Sequence, residues 1–132
     1  MKYEWDDEPD QKDWTSERHR LPCAIRRTPS MGTLCGYVGI PSGHPLFAKD
    51  YEDADVDVHG GLTYGADHVA KGPSDGMWWF GFDCAHGGDA MPGLGLDGRA
   101  ILFSGDVYRN MAYVEAECEK LAGQLVALGV TT

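Results

Sequence analysis

Histidine followed by paired glycine occurs twice in this chain, at His59-Gly60-Gly61 and His86-Gly87-Gly88, and each copy is trailed by an acidic side chain, Asp67 or Asp89. A glycine pair lets the backbone turn sharply and lets another group approach closely. An imidazole held beside such a turn can ligate a metal, shuttle a proton or bind an anion. Asp83 and Cys84 lie just ahead of His86. Neutral imidazole and thiolate both suit zinc, and carboxylates can complete its shell.

Three chemistries compete for this set. In the first, His59, Cys84 and His86 hold zinc and Asp83 or Asp89 acts as the base of a hydrolase, although the spacing matches no standard zinc motif. The second needs no metal: His59 or His86 works as general acid or base, with Asp57 or Asp83 fixing its tautomer. Cys84 as a nucleophile fits poorly there, because Cys84 and His86 leave one strand in parallel, which suits a shared target better than proton transfer between them. The third is a ligand pocket. Trp78, Trp79, Phe80, Phe82 and Tyr64 offer stacking faces, and the Gly-Gly turns offer amides to an anion. That combination suits a planar, charged, nucleotide-like molecule, with His59, Gly60, Gly61, Tyr64, Trp79, Asp83, His86 and Asp89 as its contacts. Against it stands the common fate of an aromatic strand, which is to be core.

Other signals carry less. Gly93-Leu94-Gly95-Leu96-Asp97-Gly98 spells a dinucleotide-type glycine pattern, but no strand precedes it and no helix opens on it. Asp53, Asp55 and Asp57 alternate as on a solvated strand face and lack the loop glycine and distal glutamate of a calcium loop. His44 sits between turn residues, where exposure is expected.

The elements that must position these residues follow from periodicity. Residues 1–20 are acidic and proline-interrupted, and read as an arm ordered by docking, with Trp5 and Trp14 as its anchors; residues 21–132 read as one domain. Cys23–Arg27, a turn-rich cluster over 28–32 and Thr33–Ile40 read as a β-hairpin closed by Pro41. Ala54–His59 alternates as a strand with its acids on one face, turning at Gly60-Gly61 into a partner at Leu62–Tyr64. Met77–His86 reads as a central strand with Trp78, Phe80, Phe82, Cys84 and His86 on one face and Trp79, Gly81, Asp83 and Ala85 on the other. A glycine-rich loop over 87–99 and a last strand over 99–104 follow. Val107, Met111, Val114, Cys118, Leu121, Leu125 and Leu128 recur at helical spacing, capped by Ser104 or Asp106 and ended by Gly129, with Glu115, Glu117 and Glu119 on the solvated side. The whole is an α+β class: an antiparallel or mixed sheet of about five strands under one long C-terminal amphipathic helix.

The totals set the frame. With 132 residues the chain can bury a single core, and 18 glycines, against a usual share of about 7%, favour turns over long helices. Lys and Arg number 11 against 21 Asp and Glu, a formal charge of −10 that repels nucleic-acid backbones and suits contact with a basic protein surface instead. No apolar run nears the roughly 18 residues of a membrane span, and the acidic start is unlike a signal peptide, so a soluble, cytoplasmic protein is expected. Four dispersed cysteines, Cys23, Cys35, Cys84 and Cys118, are expected to be thiols, with Cys118 in the core.

Three ordered blocks carry a resemblance: Gly36-Tyr37-Val38-Gly39-Ile40-Pro41-Ser42-Gly43-His44-Pro45, Val58-His59-Gly60-Gly61-Leu62-Thr63-Tyr64 and Trp78-Trp79-Phe80-Gly81-Phe82-Asp83-Cys84-Ala85-His86, with a further match at Tyr108–Val114. Together they resemble a family of small phage and prophage proteins, over roughly residues 33–127. The resemblance carries no catalytic residue over. It implies a phage-type accessory protein of the host cytoplasm, with the arm and the 65–76 loop as its variable parts. By analogy with small acidic phage proteins that counter host defences, it would block a protein or sequester a signalling nucleotide. The alternatives remain a zinc-dependent hydrolase and an inhibitor acting through an acidic, protein-binding face.

Overall fold

A computed structural model describes residues 8–29, 32–69, 72, 76–85, 89 and 107–129. Its strands are β1 (Gln11–Thr15), β2 (Pro22–Arg27), β3 (Leu34–Ile40), β4 (Tyr64–Ala66) and β5 (Trp78–Asp83), followed by one helix, α1 (Met111–Leu128). They form a five-stranded sheet in the order β1-β2-β3-β5-β4, every neighbour antiparallel. The α+β class read from the sequence is therefore the class observed.

Alternation decides which face each strand buries. Cys23 and Ile25 of β2, Leu34, Val38 and Ile40 of β3 and Phe80 and Phe82 of β5 turn to the helix side and join Val114, Cys118, Leu121 and Leu125 of α1 in one core. Burying side chains of this kind contributes about 1.5–3 kcal/mol each. The helix can lie this close because β3 carries Gly36, where a Cβ would fall 2.5 Å from the Phe82 ring and 2.7 Å from the Cys118 sulfur. The opposite face holds a smaller cluster of Ala24, Val69 and Trp79, with Tyr37, Tyr64 and Met77 against it. Both faces of β5 are thus covered, as its two apolar alternations require.

Several expectations change. The arm expected over residues 1–20 includes β1, which pairs with β2 as an edge strand, and Trp14 packs on the core while its Nε1 donates to Glu119 at 3.3 Å. The stretch 54–58 is extended but is no strand. Its inward residues Ala54, Val56 and Val58 do meet the core, and Asp53, Asp55 and Asp57 are exposed. Of the partner expected at Leu62–Tyr64 only Tyr64 is strand, as the first residue of β4, which pairs with β5. The helix starts at Met111 and is capped by Asn110, whose Oδ1 accepts from Tyr113 N at 2.8 Å; Ser104 and Asp106 lie outside the described residues. Asn is as good a cap as Asp or Ser, and it stands directly before the first helical residue. The glycine pattern over 93–98 and the strand expected over 99–104 also lie outside the described residues.

The glutamates expected on the solvated side of α1 are all engaged. Glu115 pairs with Lys12, Glu119 accepts from Ser16 Oγ at 2.6 Å, and Glu117 accepts from His59 N at 2.8 Å. His44 is likewise not simply exposed. Its Nδ1 accepts from Leu46 N at 3.0 Å, which leaves Nε2–H to donate to the Leu125 carbonyl at 2.7 Å near the end of α1.

Candidate functional site

A polar stripe along α1 positions the site. Tyr113, Glu117, Lys120 and Gln124 follow one another at helical spacing and so share a face. The extended 57–59 segment lies along that face. Gln124 Oε1 accepts from Asp57 N at 2.6 Å and its Nε2 donates to Asp57 O at 2.8 Å, so one side-chain amide replaces a strand partner. Glu117 takes the next amide, that of His59. The chain then turns at Gly60 and Gly61, with φ of +68° and +81°, values that L side chains rarely adopt. The turn fixes the imidazole of His59 over the helix.

Both ring nitrogens of His59 are used. Nε2 lies 2.8 Å and 3.1 Å from the two carboxylate oxygens of Asp89, and Nδ1 lies 2.8 Å from the Tyr113 hydroxyl. A carboxylate can only accept, so Nε2 carries a proton. In the neutral ring Nδ1 then accepts from Tyr113. The rings of His59 and Tyr113 meet edge to face, with centroids 5.4 Å apart. Asp89 is held beside residue 107 by a parallel bridge to Val107 and takes a second donor, Arg109 Nε, at 2.9 Å. Its side chain is 1% exposed, against 13% for His59 and 27% for Arg109. The Arg109 guanidinium also sits 5.0 Å over the Tyr113 ring.

The result is an Asp89–His59–Tyr113 line with a guanidinium beside it. The hydrogen bond to Asp89 raises the already high pKa of Arg109, so its charge is permanent. Burial, with Glu117 nearby, raises that of Tyr113 and keeps its hydroxyl protonated. The line can orient a proton donor at Tyr113 and hold a cation at Arg109. Close by, the start of α1 already holds a carboxylate: Glu8 accepts from Met111 N at 2.8 Å and from Arg27 Nη2 at 3.4 Å, and also meets the Tyr108 hydroxyl. Amides and dipole at a helix start favour such an anion.

Of the residues singled out from sequence, His59, Gly60, Gly61 and Asp89 come together. Asp89 takes the orienting place expected of Asp57 or Asp83; Asp57 is exposed on the Lys120 side, and Asp83 accepts from Thr63 Oγ1 and Ala85 N. Tyr64 and Trp79 lie on the other sheet face, where Tyr64 packs edge to face on Tyr37. Cys84 is 2% exposed in the core, and burial, with Asp89, Cys35 and Asp83 around it, pushes its thiol up to about 12. His86 lies outside the described residues. Among the described residues no three His, Cys, Asp or Glu side chains stand close enough to share a metal ion. No helix of those residues is long and apolar enough to cross a membrane.

Sequence reasoning missed Tyr113, Arg109 and Glu117. The signal was present: residues 109, 113 and 117 recur at intervals of four, a stripe of polar and aromatic groups beside the apolar one. In comparisons with protein-family models, curated proteins and solved structures, nothing matches the chain, so the site's own geometry carries its interpretation.

Proposed function

We propose that this protein binds a small, phosphate-bearing, nucleotide-like ligand, and that the cluster around Asp89 receives the ligand's charged end. One observation carries the reading. A carboxylate shielded from water fixes both His59 and Arg109, yet among the described residues it commits only Nε of the arginine to a hydrogen bond. The two terminal nitrogens of Arg109 remain as a fork that matches a phosphate, on a side chain that still reaches solvent. The Tyr113 hydroxyl adds a neutral donor whenever the ring of His59 is protonated and no longer accepts from it. Together with the resemblance to phage and prophage proteins, this supports an accessory role in which the protein withholds such a ligand from a host system.

Calorimetric titration with adenosine monophosphate and with inorganic phosphate tests the proposal. The nucleotide should bind, and Arg109→Ala should weaken it at least about tenfold, the loss expected of a charge-assisted hydrogen bond, measured at a temperature where the variant stays folded, since Asp89 loses a partner. Equal affinity in wild type, Arg109→Ala and His59→Ala would remove the cluster from binding. A native mass carrying one zinc ion, lost in His59→Ala, would favour the zinc-dependent alternative instead.

A further inference from the structure

The Asp89–His59–Tyr113 line has the form of an activated nucleophile as well as of a binding cluster. In such a device the nucleophile and its base lie about 2.6–3.2 Å apart, and a third group orients the base. Here the Tyr113 hydroxyl lies 2.8 Å from His59 Nδ1, and His59 Nε2 lies 2.8 Å from a carboxylate oxygen of Asp89. The carboxylate fixes a proton on Nε2, so Nδ1 of the neutral ring presents its lone pair to the hydroxyl. Tyr113 has one phenolic proton, and this contact commits it to the imidazole. The lone pairs of the phenolic oxygen are left for an electrophile. Burial, with Glu117 nearby, raises the pKa of Tyr113, so free phenolate is scarce and the proton must leave during attack. Taking that proton is the role of a hydrogen-bonded base. Asp89, 1% exposed, holds the imidazole in the tautomer this requires.

On the reading that Arg109 receives a phosphate, we infer that the cluster hydrolyses small phosphodiesters, with Tyr113 as nucleophile and His59 as base and then acid. Asp89 is a positioning residue, and Arg109 supplies the cation for the phosphoryl oxygens. The guanidinium stands 5.0 Å over the Tyr113 ring, so a phosphate held by its fork is brought to the tyrosine. A diester carries one negative charge, which a single guanidinium beside a carboxylate matches better than the two of a monoester. The formal charge of −10 repels long nucleic-acid backbones, so the substrate is small. In the first step the Tyr113 oxygen bonds to phosphorus and the bond from phosphorus to one alkoxide breaks. The phenolic proton passes to His59 Nδ1 and from there to the leaving alkoxide. In the second step water gives a proton to His59 Nδ1 and its oxygen bonds to phosphorus. The tyrosyl–phosphorus bond breaks, the proton returns to Tyr113, and a phosphomonoester leaves. A nucleoside monophosphate is a product of that class.

Bis(p-nitrophenyl) phosphate, a small diester that releases a coloured phenolate, tests this in two readouts. Wild type should release p-nitrophenolate. Protein quenched in acid within the first turnover should carry one p-nitrophenyl phosphoryl group, placed on Tyr113 by peptide mass mapping. Tyr113→Phe keeps the ring and should abolish both release and adduct, while the circular dichroism persists and adenosine monophosphate still binds. His59→Gln should slow release at least about 100-fold, the lower end of what a positioned acid–base group contributes. Bound nucleotide with no release by wild type would overturn the reaction and leave the binding reading standing. Release at the wild-type rate in Tyr113→Phe or His59→Gln, an adduct on another residue, or a first turnover that passes without an adduct would each overturn the inference.

Discussion

On the helix side of the sheet Val38, Ile40, Phe80, Val114, Cys118 and Leu121 are wholly buried, and Gly36 lets the two layers close to contact. On the other side, among the described residues, only Ala24, Val69 and Trp79 form a buried cluster, the buried arginine Arg26 lies on the same face, and a cavity remains. One face is closed so tightly at Gly36 that even one added methyl group is felt. The other leaves room between β1, β2 and β5. Stability is therefore concentrated on the helix side, and the polar cluster at Asp89 borrows its rigidity, because His59 and Tyr113 are both held on α1.

The sharpest break of this contrast is one added side chain on each face. Gly36→Val must displace the Phe82 ring and the Cys118 sulfur, both fixed in the core. It should cost about 3 kcal/mol or more, at the upper end of overpacking, and leave little folded protein by circular dichroism. Gly39→Ala on the opposite face brings its Cβ to 3.1 Å from Pro22 and 3.2 Å from the Trp79 ring, contacts that a shift of a few tenths of an ångström relieves. It should lower the denaturation midpoint only slightly. Equal losses would mean that the two faces are packed alike.

Alkali provides the next test. Burial pushes Cys23 and Cys84 from 9.0 up to about 12, and raises Cys118 as well, all on the helix side; Cys35 on the far side rises to about 11. A thiol whose folded value is raised holds its proton more tightly when folded. Its contribution is complete below pH 9.0 and is lost as pH climbs toward 11 to 12. The thiol contribution to stability should therefore be constant below pH 9.0 and fall above it, by as much as about 1.4 kcal/mol per pH unit for each thiol, read as a drop in urea midpoint over that range. In Cys84→Ala the fall should be shallower. A profile unchanged by that substitution would show that Cys84 ionises equally in both states.

The sequence disclosed faces more readily than partners. The hairpin of β2 and β3 and the two sides of β5 were legible because alternation and turn residues agree locally. For residues 54–58 the alternation was equally correct about which side chains point inward. It could not say what satisfies the backbone, and here Gln124 and Glu117, far along the chain, do so in place of a strand. The site was legible in the same partial way. His59, its glycine turn and Asp89 could be picked out by residue type, whereas Tyr113 and Arg109 act only because the helix lays them against that turn. Tyr64 and Trp79 were grouped with His59 for the stacking faces their rings offer, but alternation sends them to the opposite face.

Asp89→Asn turns from the sheet to the cluster itself. It would leave Arg109 without the carboxylate that neutralises it and the His59 ring without the acceptor of its Nε2–H, in a position 1% exposed. Removing one partner of a wholly buried ion pair costs about 3–5 kcal/mol, and the partial exposure of Arg109 discounts that to about 2 kcal/mol. Chemical denaturation should show this loss, and nucleotide binding should fall along with it. Asp57→Asn, at an exposed partner of Lys120, should change neither.

Tyr113→Phe has the smallest expected effect and the most to say about what the Asp89–His59–Tyr113 line is for. The substitution keeps the ring under Arg109 and against His59 and removes only the hydroxyl that meets Nδ1. If that hydroxyl only supports the fold, the loss is one partly buried hydrogen bond, about 1 kcal/mol, and ligand affinity keeps the wild-type pH profile. If the hydroxyl donates to a ligand whenever His59 is protonated, the pH dependence of binding changes shape while the stability loss stays near that figure. Titrating the His59 ring protons by NMR in both proteins, with and without adenosine monophosphate, separates the two. A ligand-induced shift of the imidazole titration that is present in wild type and absent in Tyr113→Phe would tie the tyrosine to the bound molecule. An identical shift in both would leave it as a brace for His59.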